Sequence, residues 1–220
     1  MLPQFPYPVD MTIALAEGRR VARKRETRRA LHDAALRLFI ERGFQETTVA
    51  DIARAAGVSP RTFFGYFPTK EAALYGPLED LIELLESRLS ANAVPPDALD
   101  TFRDWVAEDV LSSGELEPFG SAAFRELATN SDGVAAYGLQ YKDRVATALA
   151  QGLRAQWGYS AQDSMPEAAA GAVVTGLTSS MPVGTHLSGI DCTPPSSTEL
   201  LANVDRALAF ARAGIAAVRP

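Results

Sequence analysis

The sequence predicts an all-α fold of about nine helices, with three short N-terminal helices in a helix-turn-helix arrangement ahead of a larger helical body. Three observations carry this prediction. Apolar residues recur at three- and four-residue steps along most of the chain. No stretch shows the alternation of a half-buried strand. Capping residues, glycines and prolines fall at helix-length intervals.

Of the 220 residues, 47% are hydrophobic and 22% charged, so the chain can bury a core as one large domain or two modest ones. Cys192 is the one cysteine and has no internal partner for a disulfide, which favours a reducing, cytoplasmic setting. No run of 18 apolar residues suggests a membrane span. The opening MLPQFPYPVD has neither the basic start nor the apolar run of a secretory signal, and residues 1–18 are expected to form a flexible leader. The net charge of −6 is unevenly spread. Residues 11–76 hold 12 Lys/Arg and 7 Asp/Glu, whereas residues 77–220 hold 9 and 19. A basic module beside an acidic body is the electrostatic footprint of a phosphate binder.

Within 27–42, Leu31, Ala34, Ala35, Leu38 and Phe39 form one apolar stripe, and Gly43 stands where a helix end needs positive φ. Thr47 or Thr48 then caps a second helix, with Asp51 in capping-box position to Thr48. Gly57 supplies a turn, Ser59 an N-cap and Pro60 the first position of a third helix that stops at Pro68. On that helix Phe63 and Phe67 face inward, while Arg61, Thr62 and Gly65 face outward with Phe64 and Tyr66 at the margins. Two helices joined by a glycine turn, the second short and basic-aromatic on its free face, make a helix-turn-helix whose second helix enters the major groove of DNA.

Each outward residue has a chemical use. Arg61 offers a bidentate donor pair to guanine, Thr62 bonds a base or phosphate, and Phe64 presses on a thymine methyl. Tyr66, Lys70 and Thr48 are positioned for phosphates, the last two at helix starts. Gly65 either lets the backbone approach the groove or is merely tolerated. Arg19, Arg20, Arg23, Lys24, Arg25, Arg28 and Arg29 form a basic run; Arg25 and Arg28 are candidate DNA contacts, the alternative being a solvated tail.

In these residues the sequence resembles the tetracycline-repressor (TetR) family of regulators. The matching pieces are Thr27-Arg28, Ala34-Ala35-Leu36-Arg37-Leu38-Phe39, Glu41-Arg42-Gly43-Phe44, Thr47-Thr48-Val49, Ile52-Ala53 and Ala56-Gly57-Val58-Ser59. Thr62 to Ala72 completes the match. The resemblance implies a homodimer of all-helical protomers, each with three DNA-binding helices and a body enclosing a ligand pocket; ligand binding usually releases the DNA. Phe64 departs from the family's frequent tyrosine, and Arg61 from a frequent small residue. The domain plan that follows is a DNA-binding unit over 19–76 and an effector-binding and dimerisation unit over 77–220. Double-stranded operator DNA, a small apolar or aromatic effector and a second copy of the chain are the expected partners, with no cofactor or metal and no membrane.

In the body, helices are expected near 70–92, 97–113, 117–130, 132–157, 164–188 and 197–218. Gly76-Pro77 interrupts the first of them and is either a hinge to the DNA head or an ordinary boundary. Leu201, Val204, Leu208, Ala211, Ile215 and Val218 make a heptad seam. With Val173, Leu177 and Met181 of the preceding helix it is expected to form a four-helix dimer interface, the alternative being packing inside one chain. Phe102, Trp105, Phe124, Tyr137 and Tyr141 are the aromatic candidates for lining an effector cavity rather than plain core; Arg125, Gln140 and His186 are candidate polar neighbours.

An enzyme is disfavoured: His32 and His186 belong to no metal-spaced cluster, Cys192 has no local histidine, and no phosphate-binding glycine motif is present. A helical adaptor that binds protein through the same fold is the remaining alternative, and the segregated basic charge speaks against it.

Overall fold

The computed structural model describes residues 11–90, 97–114, 121–178 and 196–218, and every regular element among them is helical. Helices α1 (Met11–Arg42), α2 (Val49–Ala55), α3 (Pro60–Phe64) and α4 (Lys70–Leu74) form the N-terminal head. The body comprises α5 (Gly76–Ser90), α6 (Ala98–Asp104), a π-helical turn (Trp105–Val110), α7 (Leu111–Ser113), α8 (Ala122–Asn130), α9 (Asp132–Trp157), α10 (Met165–Thr178) and α11 (Ser197–Val218). Helix α1 begins at Met11, so residues 11–18, expected within a flexible leader, are helical in backbone. The helix expected over 164–188 is described to Thr178; its remainder lies outside the described residues.

The head is built from local signals. Gly43 (φ +87°) ends α1 and Gly57 (φ +70°) makes the turn after α2, both in the left-handed region that a side chain disfavours. Thr48 caps α2 in a complete capping box with Asp51, and Ser59 caps α3 through Thr62 N–H with Pro60 at the first position. Thr47 is not the cap: its buried hydroxyl donates to the Gly43 carbonyl at 2.8 Å. A five-residue helix has no stability of its own. Helix α3 exists because Phe63 (0% exposed) and Phe67 (4%) are sunk among Leu31, Ala35, Leu38 and Ile52.

The head's core continues into the body. Tyr75, Phe124, Ala128 and Val134 belong to the same buried cluster as Phe63 and Phe67. The helix is interrupted at Tyr75, between α4 and α5, and Gly76 sits beneath Phe67. A Cβ on Gly76 would lie 2.7 Å from Phe67 Cζ, and that ring is buried and cannot swing aside freely. Gly76→Ala is therefore expected to destabilise by about 1–3 kcal/mol through overpacking. Thermal unfolding checks this; a loss under about 0.5 kcal/mol would show that Phe67 relaxes without strain.

A second core joins α5, α6, the π turn, α9, α10 and α11. Ion pairs of Arg212 with Asp97 (2.5 Å) and Asp100 (2.7 Å) tie α11 to α6. This core corrects the expected dimer seam. Val204, Leu208 and Ile215 on α11, and Val173 and Leu177 on α10, are buried inside their own chain. Leu201 is half-buried beside Ala107 and Leu111, and Met181 lies outside the described residues. The heptad seam is where α11 packs on α10, and the two approach so closely that a Cβ on Gly176 would lie 2.5 Å from that of Ala207. The face of α11 that remains in the open carries Arg206, Phe210, Ala213, Gly214 and Ala217.

Candidate nucleic-acid interface and internal cavity

The outer side of α3 presents Arg61, Thr62, Phe64 and Gly65, all exposed, with Tyr66 half-buried at the edge. Phe64 is 58% exposed although it meets Phe63 edge-on at 5.6 Å, leaving one ring face uncovered. The Thr62 hydroxyl lies 2.8 Å from Ser59 Oγ, which fixes its rotamer. A Cβ on Gly65 would stand 3.2 Å from the Thr62 carbonyl, so glycine suits the tightened end of α3 for a local reason as well. Arg25 is exposed on α1.

Three expected DNA contacts are engaged otherwise. Arg28 points into the protein: its Nη1 donates to Asp80 Oδ1 on α5 at 2.8 Å, and its guanidinium lies 6.0 Å from the Phe67 ring centroid. With its side chain only 15% exposed, it fastens head to body instead of facing solvent. Lys70 donates to the Phe44 carbonyl at 2.6 Å and the Thr47 carbonyl at 3.0 Å, and sits 4.1 Å over the Phe44 ring. It holds the loop between α1 and α2. Thr48 donates its hydroxyl (2.5 Å) and its N–H (3.2 Å) to Asp51 Oδ2, so the cap consumes both donors. The same hydrogen bonds hold the Asp51 carboxyl below the usual carboxylate range. The sequence shows the Thr48 cap but not that it uses up the phosphate donors, and the partners of Arg28 and Lys70 are set by tertiary approach.

A cavity of about 100 Å³ lies between α5, the π turn, α9 and α10. Trp105 and Tyr141, two of the expected lining residues, are in its wall. Phe102, Phe124 and Tyr137 are not. Phe102 is fully buried behind Trp105 (5.5 Å), Phe124 meets Tyr75 edge-on (5.9 Å) and Tyr137 stacks on Tyr75 (6.2 Å). Of the polar neighbours, Gln140 is exposed and His186 lies outside the described residues. Tyr75 itself was not foreseen: it lines the cavity, stacks on Tyr141 at 5.1 Å and donates to the Val134 carbonyl at 2.8 Å. Its position after the Lys70–Leu74 stretch gave no periodic signal for a wall.

Behind the cavity runs a charged relay. Tyr141 donates to Glu79 Oε2 at 2.8 Å, and Arg144 donates to Glu79 at 2.6 Å and to Glu86 at 3.0 Å. Burial pushes Glu79 up, but the hydrogen bonds from Arg144 and Tyr141 outweigh it and hold Glu79 below its ordinary value. Burial, and then the Glu79 acceptor, push the Tyr141 hydroxyl upward, so it stays a neutral donor. Next to Glu79 along α5, Asp80 carries the ion pair to Arg28 of the head. The cavity wall and the head are thus joined through the first two turns of α5. Among the described residues there is no cluster of three or more potential metal ligands, and no helix long and apolar enough to cross a membrane.

Residues 31–74 match the family described as bacterial regulatory proteins, tetR family. The chain is 31% identical over 153 residues to the HTH-type transcriptional regulator TcmR of Streptomyces glaucescens, spanning 66% of this chain and 67% of that protein. It is 32% identical over 157 residues to the HTH-type transcriptional regulator BetI of Rhizobium meliloti (strain 1021), spanning 68% of this chain and 75% of that protein. Among solved structures, a TetR-family transcriptional regulator from Syntrophomonas wolfei superposes with a TM-score of 0.54 at 20% identity. That superposition covers 88% of this chain and 97% of the other, and shows a shared fold.

Proposed function

Because the chain belongs to the tetR family of bacterial regulatory proteins and is a DNA-binding transcriptional regulator, we propose that it acts as a homodimeric repressor on a palindromic operator and is released by a small apolar or aromatic effector. In this reading residues 19–76 are the DNA-binding unit, residues 77–220 bind effector and dimerise, and the protein works in the cytoplasm. The observation that carries the DNA half is α3: two inward phenylalanines anchor it and leave Arg61, Thr62 and Phe64 exposed together. Such a helix fits the major groove, with Arg61 reading guanine and Phe64 resting on a thymine methyl. Arg25 and the half-buried Tyr66 supply phosphate contacts.

The effector half draws support from the position of the cavity. A ligand there presses on Leu78, Leu81 and Ile82 of α5, the same helix whose start holds Gly76 beneath Phe67 and Asp80 against Arg28. Moving α5 therefore moves the head. The ligand favours whichever head position best accommodates it, and shifts the population by its difference in affinity for the two. The dimer half draws support from the exposed side of α11. Phe210 is 72% exposed and flanked by Ala213, Gly214 and Ala217, whose small side chains let another helix approach.

Selection of operators from random DNA by the purified protein tests the reading. A two-fold symmetric site is expected, with affinity falling steeply as salt rises, by a log–log slope near −0.9 for each phosphate neutralised. A flat salt response on every DNA would favour an adaptor that binds protein. On the selected site, Arg61→Ala is expected to cost about 1–3 kcal/mol and to relax the preference at one base pair per half-site. Binding measured against a panel of single-base variants checks this. An equal loss on all of them would move Arg61 from base to backbone.

A further inference from the structure

We infer that the cavity between α5 and α9 takes an uncharged, compact apolar molecule held by shape, with no ion pair to the protein and no hydrogen bond donated by its wall; this rests on the effector reading above. The polar groups of its wall are already committed. Trp105 Nε1 donates to the Leu81 carbonyl at 2.8 Å, Tyr75 to the Val134 carbonyl at 2.8 Å, and Tyr141 to Glu79 at 2.8 Å. Thr178 donates to the Val174 carbonyl at 2.9 Å. A ligand acceptor that took any of these donors would have to break an internal hydrogen bond to make its own, and would gain no more than it broke. The rest of the wall is aliphatic, with Leu78, Ile82, Val110, Val145 and Val174 facing the space.

Charge is excluded on the same grounds. Glu79 and Arg144 satisfy each other behind Tyr141, so neither is available to a counter-charge on the ligand. Lys142 is the one charged residue of the lining, and it is partly exposed, with its ammonium free to stay in water. An ion carried into this space would lose its hydration without a buried partner.

The π turn fits the same use. Five residues of α-helix place two side chains about 140° apart around the axis. The wider i→i+5 repeat instead brings Trp105 and Val110 toward the same side, and both line the cavity. The size sets the class further. At about 100 Å³ the space is smaller than the roughly 150 Å³ void that accepts benzene in other proteins. A single ring therefore fills the space and presses on its walls, of which α5 is the one that continues to the head.

Toluene, benzoate and benzylammonium share one ring and differ in charge, and they provide the test. In a Trp157→Phe variant Trp105 is the remaining indole, so its fluorescence reports occupancy. Toluene is expected to bind saturably and at least about tenfold more tightly than either ion. Val174→Phe, which fills the cavity, is expected to abolish toluene binding with helicity retained; Ile82→Phe is the second filling variant should the first fail to fold. Benzoate or benzylammonium binding as tightly as toluene, no toluene binding at all, or toluene binding undisturbed in a folded cavity-filled variant would overturn the inference. Operator affinity measured with toluene present separates the two readings. Saturable toluene binding with unchanged operator affinity would support the ligand class and sink ligand release.

Discussion

Phe63→Ala is expected to lower the stability of the protein by about 3–5 kcal/mol and to remove operator binding with it. The side chain is fully buried and touches both phenylalanine neighbours, with ring centroids 5.6 Å to Phe64 and 5.8 Å to Phe67. Truncation leaves a cavity against Ile52 and Leu31 that so small a head cannot close by collapse. Helix α3 has only five residues, so it has no intrinsic tendency to survive the loss of its anchor. A total stability of about 5–15 kcal/mol leaves little margin. Urea unfolding followed by circular dichroism, beside operator binding, gives both numbers. A loss below about 1 kcal/mol, or operator binding kept at wild-type strength, would mean that α3 is held by something other than its inward phenylalanines.

In the dimer proposed above, Phe210→Glu is expected to separate the protomers and to weaken operator binding by a factor on the order of 10²–10⁴. Two reading heads joined in one particle bind the second half-site at high effective concentration, and that advantage disappears when they separate. Among the described residues Phe210 is the most exposed of the large apolar side chains, at 72%, and its helix carries small residues on the same side. Glutamate there would place a charge from each copy in an apolar contact across a two-fold axis. The substitution touches no core residue, so protomer stability is expected to stay within about 0.5 kcal/mol of wild type. Sedimentation velocity at micromolar concentration reads the outcome. A variant that still sediments as a dimer would place the interface elsewhere, and a wild-type monomer would remove the dimer from the proposal.

Which side of α11 faces a partner shows where sequence reading reached its end. The heptad of Leu201, Val204, Leu208, Ala211 and Ile215 is a true pattern, and the helix spans Ser197–Val218 as expected. Periodicity reports that a face is buried, without reporting what buries it. Here α10 does, through Gly176 and Ala207. The same holds for charge. Arg28 and Lys70 stand in a basic region that composition marks plainly, yet Asp80 is 52 residues from Arg28 in the chain and the Phe44 carbonyl is 26 from Lys70. Aromatic content marked a body rich in large rings, and two of five chosen residues line the cavity. Tyr75 joins them only because α4 ends there and its ring turns inward.

The sequence by itself determined the local frame of the head: the caps at Thr48 and Ser59 and the turns at Gly43 and Gly57 follow from interactions spanning a few residues, and helical periodicity set Phe63 and Phe67 on one face. It also determined the long helix Asp132–Trp157, bounded by the Ser131 cap and by Gly158 with φ +67°. The tertiary structure alone decided which apolar face packs within the chain, which arginine binds aspartate instead of solvent, and where the cavity opens. Local hydrogen bonds are fixed by spacing along the chain. Packing partners are chosen by the shape and burial of surfaces that meet only once the helices have come together.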